Sequence, residues 1–469
     1  MLSKQRRKLI SFFVSFLMAV LLFPITALAD GNVASVDGVE YSTLQAAVDA
    51  AEDGATIALL KDASGSGVKV QSGKHIVIDF SGFTYEIVAP TVGSEGTETN
   101  GFQLLRDSSI VMQNGTITSS AAKILIQNYS NLTLHNMNLD GSKLVGSNDY
   151  VLSNNHGTTK LTGQTSITAK EGDVAFDVCY WSPAYADGVK VIVDTTGTVT
   201  GKIEYSTYGA STPEGTAANS TLEIQNVRHV GDISAVAEGA NITISGGSYS
   251  SSAAVQYVNA DNALLFDGES YAVLSKTEAR DKAQASVVTA DGKAIYYMDG
   301  QDAANDAQHM GLSAVYKLTV TAQGNGSFTV DPNEAAIEGV PEGTKVKIAF
   351  TPASSNTLSS IVINGTALAD IAPYKKAGFY EHSMAVGENK VTLIFKRTGS
   401  YTSNDHSSND GGASLQNDGT DRHEPEGTLP DHDQNPNTGA GSELQLSAVL
   451  LLTVGGATGI CFLIKKKQA

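Results

Sequence analysis

A short phrase recurs along the first half of this chain, and it limits the possible folds more than any other feature. SSIVMQNGTITSS begins at Ser108 and SNLTLHNMNLDGS begins at Ser130, an offset of 22 positions. STLEIQNVRHV and ANITISGGSYSSS repeat the pattern with an offset of 20. Apolar residues alternate with polar ones, so each strand has one buried face. Such a period, with one turn per repeat, predicts a solenoid whose repeats bury their apolar faces on one another.

The apolar positions of these phrases align one by one along the sequence. The aligned pairs are Ile110 with Leu132, Met112 with Leu134, Ile117 with Leu139, Leu222 with Ile242, and Ile224 with Ile244.

A helix is predicted where the repetitive region begins. Ser42 and Gln45 have the spacing of a capping box, and Gly54 suits the left-handed position after a helix. Four apolar or aromatic residues of this segment fall on one helical face: Tyr41, Leu44, Val48 and Ala51. A buried strand is expected at 56–60. The helix is therefore expected to cover the exposed end of the first repeat.

This helix and the strands after it resemble the N-terminal part of pectate-lyase-like right-handed parallel β-helix proteins. ANITISGGSYSSS likewise resembles the repeats of β-helix surface proteins from Gram-positive bacteria. The resemblance covers 33–276 and implies a fold rather than an activity. We expect an all-β protein: a right-handed parallel β-helix at 30–276 with an N-terminal capping helix, followed by further, smaller elements.

Two smaller regions follow the repeats. Residues 277–315 predict a hairpin turning at Asp291-Gly292 and then a short helix. Residues 316–397 contain cleanly alternating strands separated by Gly, Asn and Pro, and predict a separate small β module. YKLTVTAQGNGSFTVDP and SSIVING within it resemble the internalin-type B-repeat of bacterial surface proteins, which implies a stalk or protein-contact role.

The segment 398–434 is rich in Ser, Asn, Asp and Gly and has almost no aliphatic residues, so it predicts a disordered linker. After it, residues 444–464 form 21 positions without a charge, followed by three lysines at 465–467. A helix of that length spans about 31 Å, close to the thickness of a bilayer core. The lysines are typical of a cytoplasmic end, so a transmembrane helix is expected.

The N-terminus predicts a secretory signal peptide at 1–29. A basic segment precedes an apolar one, and Ala27 and Ala29 form an A-x-A cleavage site before Asp30.

Five residues ahead of the C-terminal span complete a recognisable arrangement: Asn435, Pro436, Asn437, Thr438 and Gly439. Together with the span and the basic tail, at 435–469, they resemble the LPxTG sorting signal of Gram-positive cell-wall proteins, with Asn435 in the place of Leu. The resemblance implies that a sortase cuts between Thr438 and Gly439 and joins the chain to peptidoglycan. A protein that keeps its span in the membrane is the alternative.

Charge and cysteine content fit an exported protein. Removal of both ends would leave 24 basic and 48 acidic residues, a formal charge of −24 against −18 for the whole chain. Such a surface repels nucleic acid, so no nucleic-acid partner is expected. Cys461 lies in the span, which leaves Cys179 alone and excludes an intramolecular disulfide. No EF-hand-like loop is found, and we expect no cofactor and no metal.

Catalytic groups do not form a recognisable constellation in the sequence. The candidates are Asp140, Asp173, Asp177, Asp187, His156 and Lys160. A polysaccharide-cleaving enzyme would need a carboxylate pair on adjacent repeats of one outer face. Since no such pair is evident from spacing, we assign no catalytic residue.

One aromatic cluster suggests a binding surface. AFDVCYWSPAYADG supplies four aromatic residues: Phe176, Tyr180, Trp181 and Tyr185. Aromatic rings among polar neighbours can stack on sugars, although they can equally pack a loop. The sequence therefore favours a wall-anchored adhesin with an extracellular glycan or protein ligand. A polysaccharide-active enzyme and a passive surface spacer remain as alternatives, and membrane contact is expected only through the span before sorting.

Overall fold

The computed structural model describes residues 31–147, 149–180, 185, 187–207, 219–235, 240–333 and 339–399. The predicted signal peptide, the linker after residue 399, the sorting signal and the transmembrane span lie outside these residues. Within the described part of the chain, no helix is long and apolar enough to cross a membrane.

Strands dominate the described chain, and the predicted all-β class is confirmed. The first twenty are β1 Ala34–Val36, β2 Val39–Tyr41, β3 Thr56–Leu59, β4 Ala63–Gly65, β5 Val68–Val70, β6 His75–Asp79, β7 Thr84–Ile87, β8 Val92–Ser94, β9 Thr97–Leu104, β10 Ser109–Ser119, β11 Ile124–Asn128, β12 Asn131–Asp140, β13 Tyr150–Asn154, β14 Gly157–Gly163, β15 Ser166–Thr168, β16 Val174–Tyr180, β17 Val189–Thr200, β18 Lys202–Thr207, β19 Thr221–Val230 and β20 Ile233–Ala235.

The remaining strands are β21 Ile242–Ile244, β22 Ser248–Tyr249, β23 Asn262–Phe266, β24 Tyr271–Ser275, β25 Ala285–Val288, β26 Ala294–Tyr297, β27 Ala314–Tyr316, β28 Leu318–Gln323, β29 Gly326–Asp331, β30 Val340–Pro341, β31 Lys345–Pro352, β32 Asn356–Ile363, β33 Thr366–Ala367, β34 Phe379–Ser383 and β35 Asn389–Arg397. The α-helices are α1 Leu44–Ala50, α2 Lys276–Lys282, α3 Gly300–Met310 and α4 Ala372–Ala377, and a 3₁₀ helix spans Ser252–Tyr257.

Two long sheets share the strands of the repetitive region. In sheet A, β3, β6, β10, β12, β14, β17, β19 and β21 pair in that order, each parallel to the next. In sheet B, β5, β9, β11, β13, β16, β18 and β20 do the same. From β9 to β20 the chain passes back and forth between the two sheets, so each return adds a strand to both.

The register predicted from the repeats is confirmed. Ile110 pairs with Leu132, and Met112 with Leu134, between β10 and β12. The same strands pair Ile117 with Leu139, and β19 and β21 pair as predicted, Leu222 with Ile242 and Ile224 with Ile244. Apolar side chains at paired positions therefore form rows that run from strand to strand across each sheet.

The predicted period of about 20–22 residues is confirmed for the repeats that suggested it but does not extend along the whole of sheet A. Paired residues in sheet A are 34 positions apart between Ile76 and Ile110, 22 between β10 and β12, and 20 between β19 and β21. Between Val191 and Leu222 the spacing is 31. Chain segments outside the strands absorb the difference, while the strands keep their register.

Aliphatic and aromatic side chains fill the core in rows. In sheet B one row consists of Phe102, Ile126, Leu152, Phe176 and Ile203, all at most 1% exposed. A row in sheet A consists of Ile78, Met112, Leu134, Leu161 and Val193, equally buried. Each Å² of apolar surface that is buried contributes about 25 cal/mol of stabilisation, so these rows stabilise both sheets.

A buried amide, that of Asn128 at the end of β11, ties sheet B to β14 of sheet A and to the turn before β12. Asn128 donates from Nδ2 to Thr159 Oγ1 at 2.9 Å and to the Ser130 carbonyl at 3.2 Å. Its Oδ1 accepts from the Ser130 backbone N–H at 2.8 Å and the Ser130 hydroxyl at 2.7 Å. Because Asn128 is fully buried, these bonds satisfy groups that water cannot reach.

The predicted capping helix is present, but its ends differ from the expectation. Thr43, rather than Ser42, is the N-cap and accepts from the Ala46 backbone N–H at 3.1 Å. Gln45 instead bonds the backbone of Lys69, at 2.7 Å and 3.0 Å, so it ties the helix to β5. The helix ends at an extended Ala51, and the left-handed Gly54 lies beyond it in the turn before β3.

After β22 most strand pairs are antiparallel, although β23 pairs with β26 and β28 with β35 in parallel. Strand β24 pairs with β22 and β23, and β25 and β26 form a hairpin that precedes α3. Strands β27 and β30 extend sheet A as far as Pro341. The later strands form a four-stranded sheet (β28-β35-β32-β33) and a three-stranded sheet (β29-β31-β34).

Candidate functional site

A polar cleft of about 640 Å³ lies along the early strands of sheet B, and we call it the sheet B cleft. Its walls come from β9, β11, the β8–β9 hairpin and the residue Tyr185, which follows β16 in the chain. The lining residues are Ser72, Ser94, Thr97, Thr99, Asn100, Gln103, Leu105, Arg106, Ile124, Gln127, Tyr129 and Tyr185. A second cleft of about 490 Å³ beside Lys61 and Glu86 carries no aromatic residue in its lining.

Three amide side chains form one side of the sheet B cleft. Gln103 and Gln127 are register partners on β9 and β11. Gln127 Oε1 accepts from Asn100 Nδ2 at 2.9 Å and from Gln103 Nε2 at 3.2 Å. This shared bond fixes the orientation of both donors and turns their own carbonyl oxygens away from Gln127.

Those two oxygens have no partner. Asn100 and Gln103 are 3% and 4% exposed, and neither Asn100 Oδ1 nor Gln103 Oε1 accepts a hydrogen bond within the described chain. A buried acceptor without a donor costs about 1–3 kcal/mol. Both residues line the cleft, and the two oxygens are themselves enclosed.

Aromatic rings and one guanidinium form another part of the lining. The centres of the Tyr129 and Tyr185 rings are 5.3 Å apart, and the centres of the His156 and Tyr185 rings are 5.2 Å apart. The Arg106 guanidinium carbon lies 5.7 Å from the centre of the Tyr185 ring, within range of a cation–π contact. His156 Nδ1 is 3.2 Å from the backbone carbonyl oxygen of Tyr129, so the imidazole also contacts the backbone that follows β11.

Burial, followed by the proximity of Tyr185, Cys179 and Asp177, raises the pKa of Tyr129 far above its usual value. The phenol is therefore neutral and can donate or accept a hydrogen bond at physiological pH.

The four aromatic residues predicted to form a binding surface lie in different environments. Tyr185 lines the cleft. Phe176 is fully buried and belongs to the core row of sheet B, so its ring offers no surface to a ligand. Tyr180 is 1% exposed and equally enclosed, while Trp181 lies outside the described residues. The prediction of an exposed face is therefore corrected for Phe176 and Tyr180: every residue of β16 is buried, because that strand is covered on both of its faces.

A carboxyl pair lies further along sheet B. Asp177 on β16 and Glu204 on β18 are register partners. Desolvation, with a smaller contribution from Glu204, raises the pKa of Asp177 to about 8 against the opposing effect of its hydrogen bonds. Glu204 contacts Lys202 Nζ at 2.9 Å and accepts from the Tyr150 hydroxyl at 3.1 Å.

The other polar candidates are dispersed. Asp173 lies 3.2 Å from Lys170 Nζ, which also contacts the fully buried Asp149. Asp140 and Lys160 belong to sheet A, and Asp187 is exposed. His156 contacts Tyr185 but is not among the residues that line the sheet B cleft. No group of three or more His, Cys, Asp or Glu suited to a metal occurs among the residues that the structure describes.

Sequence reasoning missed Arg106, Tyr129 and the three amides. They come from β9, from β11 and from the residues that follow these strands, and each alone resembles a solvated polar position. The near-continuous apolar run of β16, VAFDVCY, was a usable signal that this part of sheet B is covered on both faces. Comparison with protein-family models, curated proteins and solved structures finds no match to this chain.

Proposed function

We propose that this chain is a glycan-binding protein of the Gram-positive cell surface, and that the sheet B cleft is its ligand site. The observation that carries the proposal is that one cleft is lined by two tyrosines in ring contact and by Asn100 and Gln103, whose side-chain oxygens accept no hydrogen bond within the described chain. A sugar ring has an apolar C–H face and a rim of hydroxyl groups. Aromatic rings suit the first, and fixed amide acceptors suit the second.

The fold that presents the cleft is proposed to be a right-handed parallel β-helix. Support comes from the alternation of the chain between two parallel ladders, with register held across eight strands of sheet A. Crossovers between parallel strands are right-handed in nearly all proteins, which favours that hand here. Helix α1 would then cover the first repeat, and the strands after Leu318 would form the B-repeat-like module.

Surface display is proposed from the sequence of the two ends. The signal peptide, the NPNTG motif and the apolar span with its lysine tail are the parts of a sorting substrate, and the polar 398–434 segment suits a tether across the wall. The C-terminal span is accordingly proposed as a transmembrane helix that holds the chain only until sortase cleaves it.

A glycan array tests the ligand proposal. The full-length chain, purified in a non-ionic detergent, is applied to immobilised oligosaccharides beside a Tyr129→Ala, Tyr185→Ala double variant. We expect selective binding by the wild type and loss of that binding in the double variant. Binding that survives the double substitution would place the ligand elsewhere, and the absence of any bound glycan would overturn the proposal.

Cell fractionation tests the anchor. Cells producing wild type, Thr438→Ala or the linker control Thr420→Ala are digested with muramidase and blotted. Wild type and the control are expected as a ladder of wall fragments, whereas Thr438→Ala stays in the membrane or medium. Identical intact membrane protein in all three samples would refute sortase anchoring.

The carboxyl pair supports a second candidate, a polysaccharide-cleaving enzyme. Asp177 retains its proton near neutral pH beside Glu204, and two carboxyls in different protonation states are what acid–base cleavage of a glycosidic bond requires. Release of new reducing ends from a bound glycan, abolished by Glu204→Gln, would establish this activity. Unchanged oligosaccharide after long incubation would exclude it for that ligand.

A further inference from the structure

We propose that the β module at 316–397 is a mechanical clamp, in which the parallel strand pair β28–β35 resists tension between a bound ligand and the cell wall. This inference rests on the proposed surface display, because the tension arises only if the chain is anchored on its C-terminal side and binds its ligand through the strands before the module.

The path of the chain through the module is the first argument. The chain enters at Leu318, the first residue of β28, and leaves at Arg397, the last residue of β35. These two strands pair in parallel, with Leu318 opposite Asn389 and Gln323 opposite Ile394. A pull from the ligand side acts on the amino end of β28, and a pull from the wall acts on the carboxyl end of β35. These are opposite ends of the ladder, so the two strands are drawn along each other.

The direction of loading decides how strongly such a ladder resists. When parallel strands are drawn along each other, their evenly spaced hydrogen bonds carry the force together and must break together. When both strands are pulled at the same end, the bonds open one after another, and each alone is weak. Since forced unfolding depends on the unfolding rate, the first arrangement raises the force at which the module opens.

The position of β35 within its sheet is the second argument. It lies between β28 and β32, and it pairs antiparallel with β32 along its second edge. Three of its side chains, those of Val391, Leu393 and Phe395, are at most 4% exposed. Withdrawal of β35 therefore breaks two ladders and exposes core side chains at the same time.

The attachment of β28 to the preceding strands is the third argument. Lys317, immediately before β28, donates its backbone N–H to the Gln284 carbonyl at 2.8 Å, and its ammonium donates to the Arg280 carbonyl at 3.3 Å. Tyr316 of β27 pairs with Val340 of β30, so sheet A holds the chain both before β28 and after β29. Tension from the strands before the module is therefore transmitted to the amino end of β28.

One side-chain contact crosses the β28–β35 pair itself. Thr321 and Thr392 are register partners, and their Oγ1 atoms are 3.0 Å apart, within hydrogen-bond distance. Thr392 is only 9% exposed, so water has little access to this bond. The threonine pair is therefore a place where the clamp can be weakened without a change in the apolar core.

Single-molecule force spectroscopy of the full-length chain in non-ionic detergent tests the proposal. Handles on the two termini pull β28 and β35 along each other. In the comparison, the N-terminal handle is moved to Asn325→Cys, in the exposed turn after β28, so that both strands are pulled at the same end. That chain also carries Cys461→Ser, while Cys179 is buried. Unfolding of 318–397 lengthens the chain by about 270 Å, and unfolding of 325–397 by about 250 Å, which identifies the module in each trace.

We expect the module to unfold at a several-fold higher force between the termini than between Asn325→Cys and the C-terminus. Thr321→Val removes the hydroxyl that crosses the pair and should raise the unfolding rate under terminal load about fivefold, the effect of one hydrogen bond. Thr329→Val, at an exposed threonine of β29, is the matched control and should leave that rate unchanged. Circular dichroism of each variant checks that the fold is retained.

The outcomes are distinguishable. Equal unfolding forces in the two arrangements, or a lower force between the termini, would overturn the clamp while surface display itself stands. If Thr321→Val unfolds no faster than Thr329→Val, the assignment of the threonine pair is overturned. If the fractionation experiment shows no wall anchoring, the proposed display fails, and the module has no tension to resist whatever forces are measured.

Discussion

Asp177 and Glu204 are direct register partners on the parallel strands β16 and β18, yet their surroundings differ sharply. Asp177 is 3% exposed, and its Oδ1 accepts from the Asn154 backbone N–H at 2.5 Å. Glu204 instead has the Lys202 ammonium at 2.9 Å. Asp177 is thus shielded from water and has no ion-pair partner among the described residues. The negative charge of Glu204 is compensated by Lys202.

This difference predicts how stability depends on pH. Burial raises the pKa of Asp177 to about 8, whereas in the unfolded chain it ionises near 3.8. Between these values the unfolded state releases a proton that the folded state retains, so the free energy of unfolding falls as pH rises. Asp177→Asn mimics the protonated form and cannot ionise. We expect it to be as stable as wild type near pH 4 and increasingly more stable toward pH 8.

Urea unfolding at several pH values, followed by circular dichroism, measures this effect. Asp194→Asn on β17 is the control, because its side chain is exposed and should leave the pH profile unaltered. Parallel profiles for wild type and Asp177→Asn would show that Asp177 ionises normally in the folded protein.

Tyr185 is predicted to contribute to binding through its ring. Tyr185→Ala removes the surface that packs against Tyr129 and supports Arg106, so we expect glycan affinity to fall about tenfold or more. Tyr185→Phe keeps the ring and should bind within a few-fold of wild type. Titration calorimetry measures both variants.

Tyr374→Ala provides the comparison for Tyr185. Tyr374 is also partly buried and packs edge-on against another tyrosine, Tyr380, at 5.1 Å, but it belongs to α4, far along the chain from β9 and β11. Its loss should leave affinity unaffected. If Tyr185→Ala bound as tightly as this variant, the aromatic side of the cleft would have no role in recognition.

The buried amide Asn128 is predicted to be essential for stability. Asn128→Ala removes its bonds to Thr159 and Ser130 and leaves their buried polar groups unpaired. We expect a loss of about 3 kcal/mol in the free energy of unfolding, measured by urea denaturation. Asn138→Ala on β12 removes an exposed amide and should cost less than about 0.5 kcal/mol. Similar losses for the two variants would contradict the importance of the buried network.

Leu161 tests the core row of sheet A. It is fully buried and pairs with Leu134 on one side and Val193 on the other. Leu161→Ala leaves a cavity between two strands that cannot close around it, so unfolding should become easier by about 3 kcal/mol. Leu60→Ala, at a leucine that is 38% exposed, is the matched control and should have a much smaller effect. Equal midpoints in urea for these two variants would exclude a close-packed row at Leu161.

Sequence alone was sufficient for the register of the repeats. The pairing of Ile110 with Leu132 was predictable because inward positions must be apolar, and alternation leaves a single arrangement that buries all of them. The N-cap residue was harder to predict, because Ser42 and Thr43 are adjacent and either side chain can cap a helix. Only the structure shows that Gln45 bonds the Lys69 backbone, and Asp49 of its own helix, instead of completing a capping box.

The cleft could not be predicted in the same way. Asn100, Gln127 and Tyr129 face outward, where polar residues are the rule, so nothing in their spacing separates a ligand site from ordinary solvated surface. Tyr185 stood out because aromatic residues cluster around it. The same reasoning failed for Phe176, since a cluster in sequence does not reveal which rings point into the core.

The unequal spacing between paired strands has a consequence for how such a protein can change. Neighbouring strands of sheet A pair whether 20 or 34 residues separate the paired positions. Their pairing therefore does not depend on the length of chain between the strands. Tyr185, one side of the cleft, comes from such an intervening segment, whereas Gln103 and Gln127 come from the ladder itself. Inserted segments can therefore be exchanged, lengthened or shortened to alter ligand preference, while the folding of the scaffold is inherited intact.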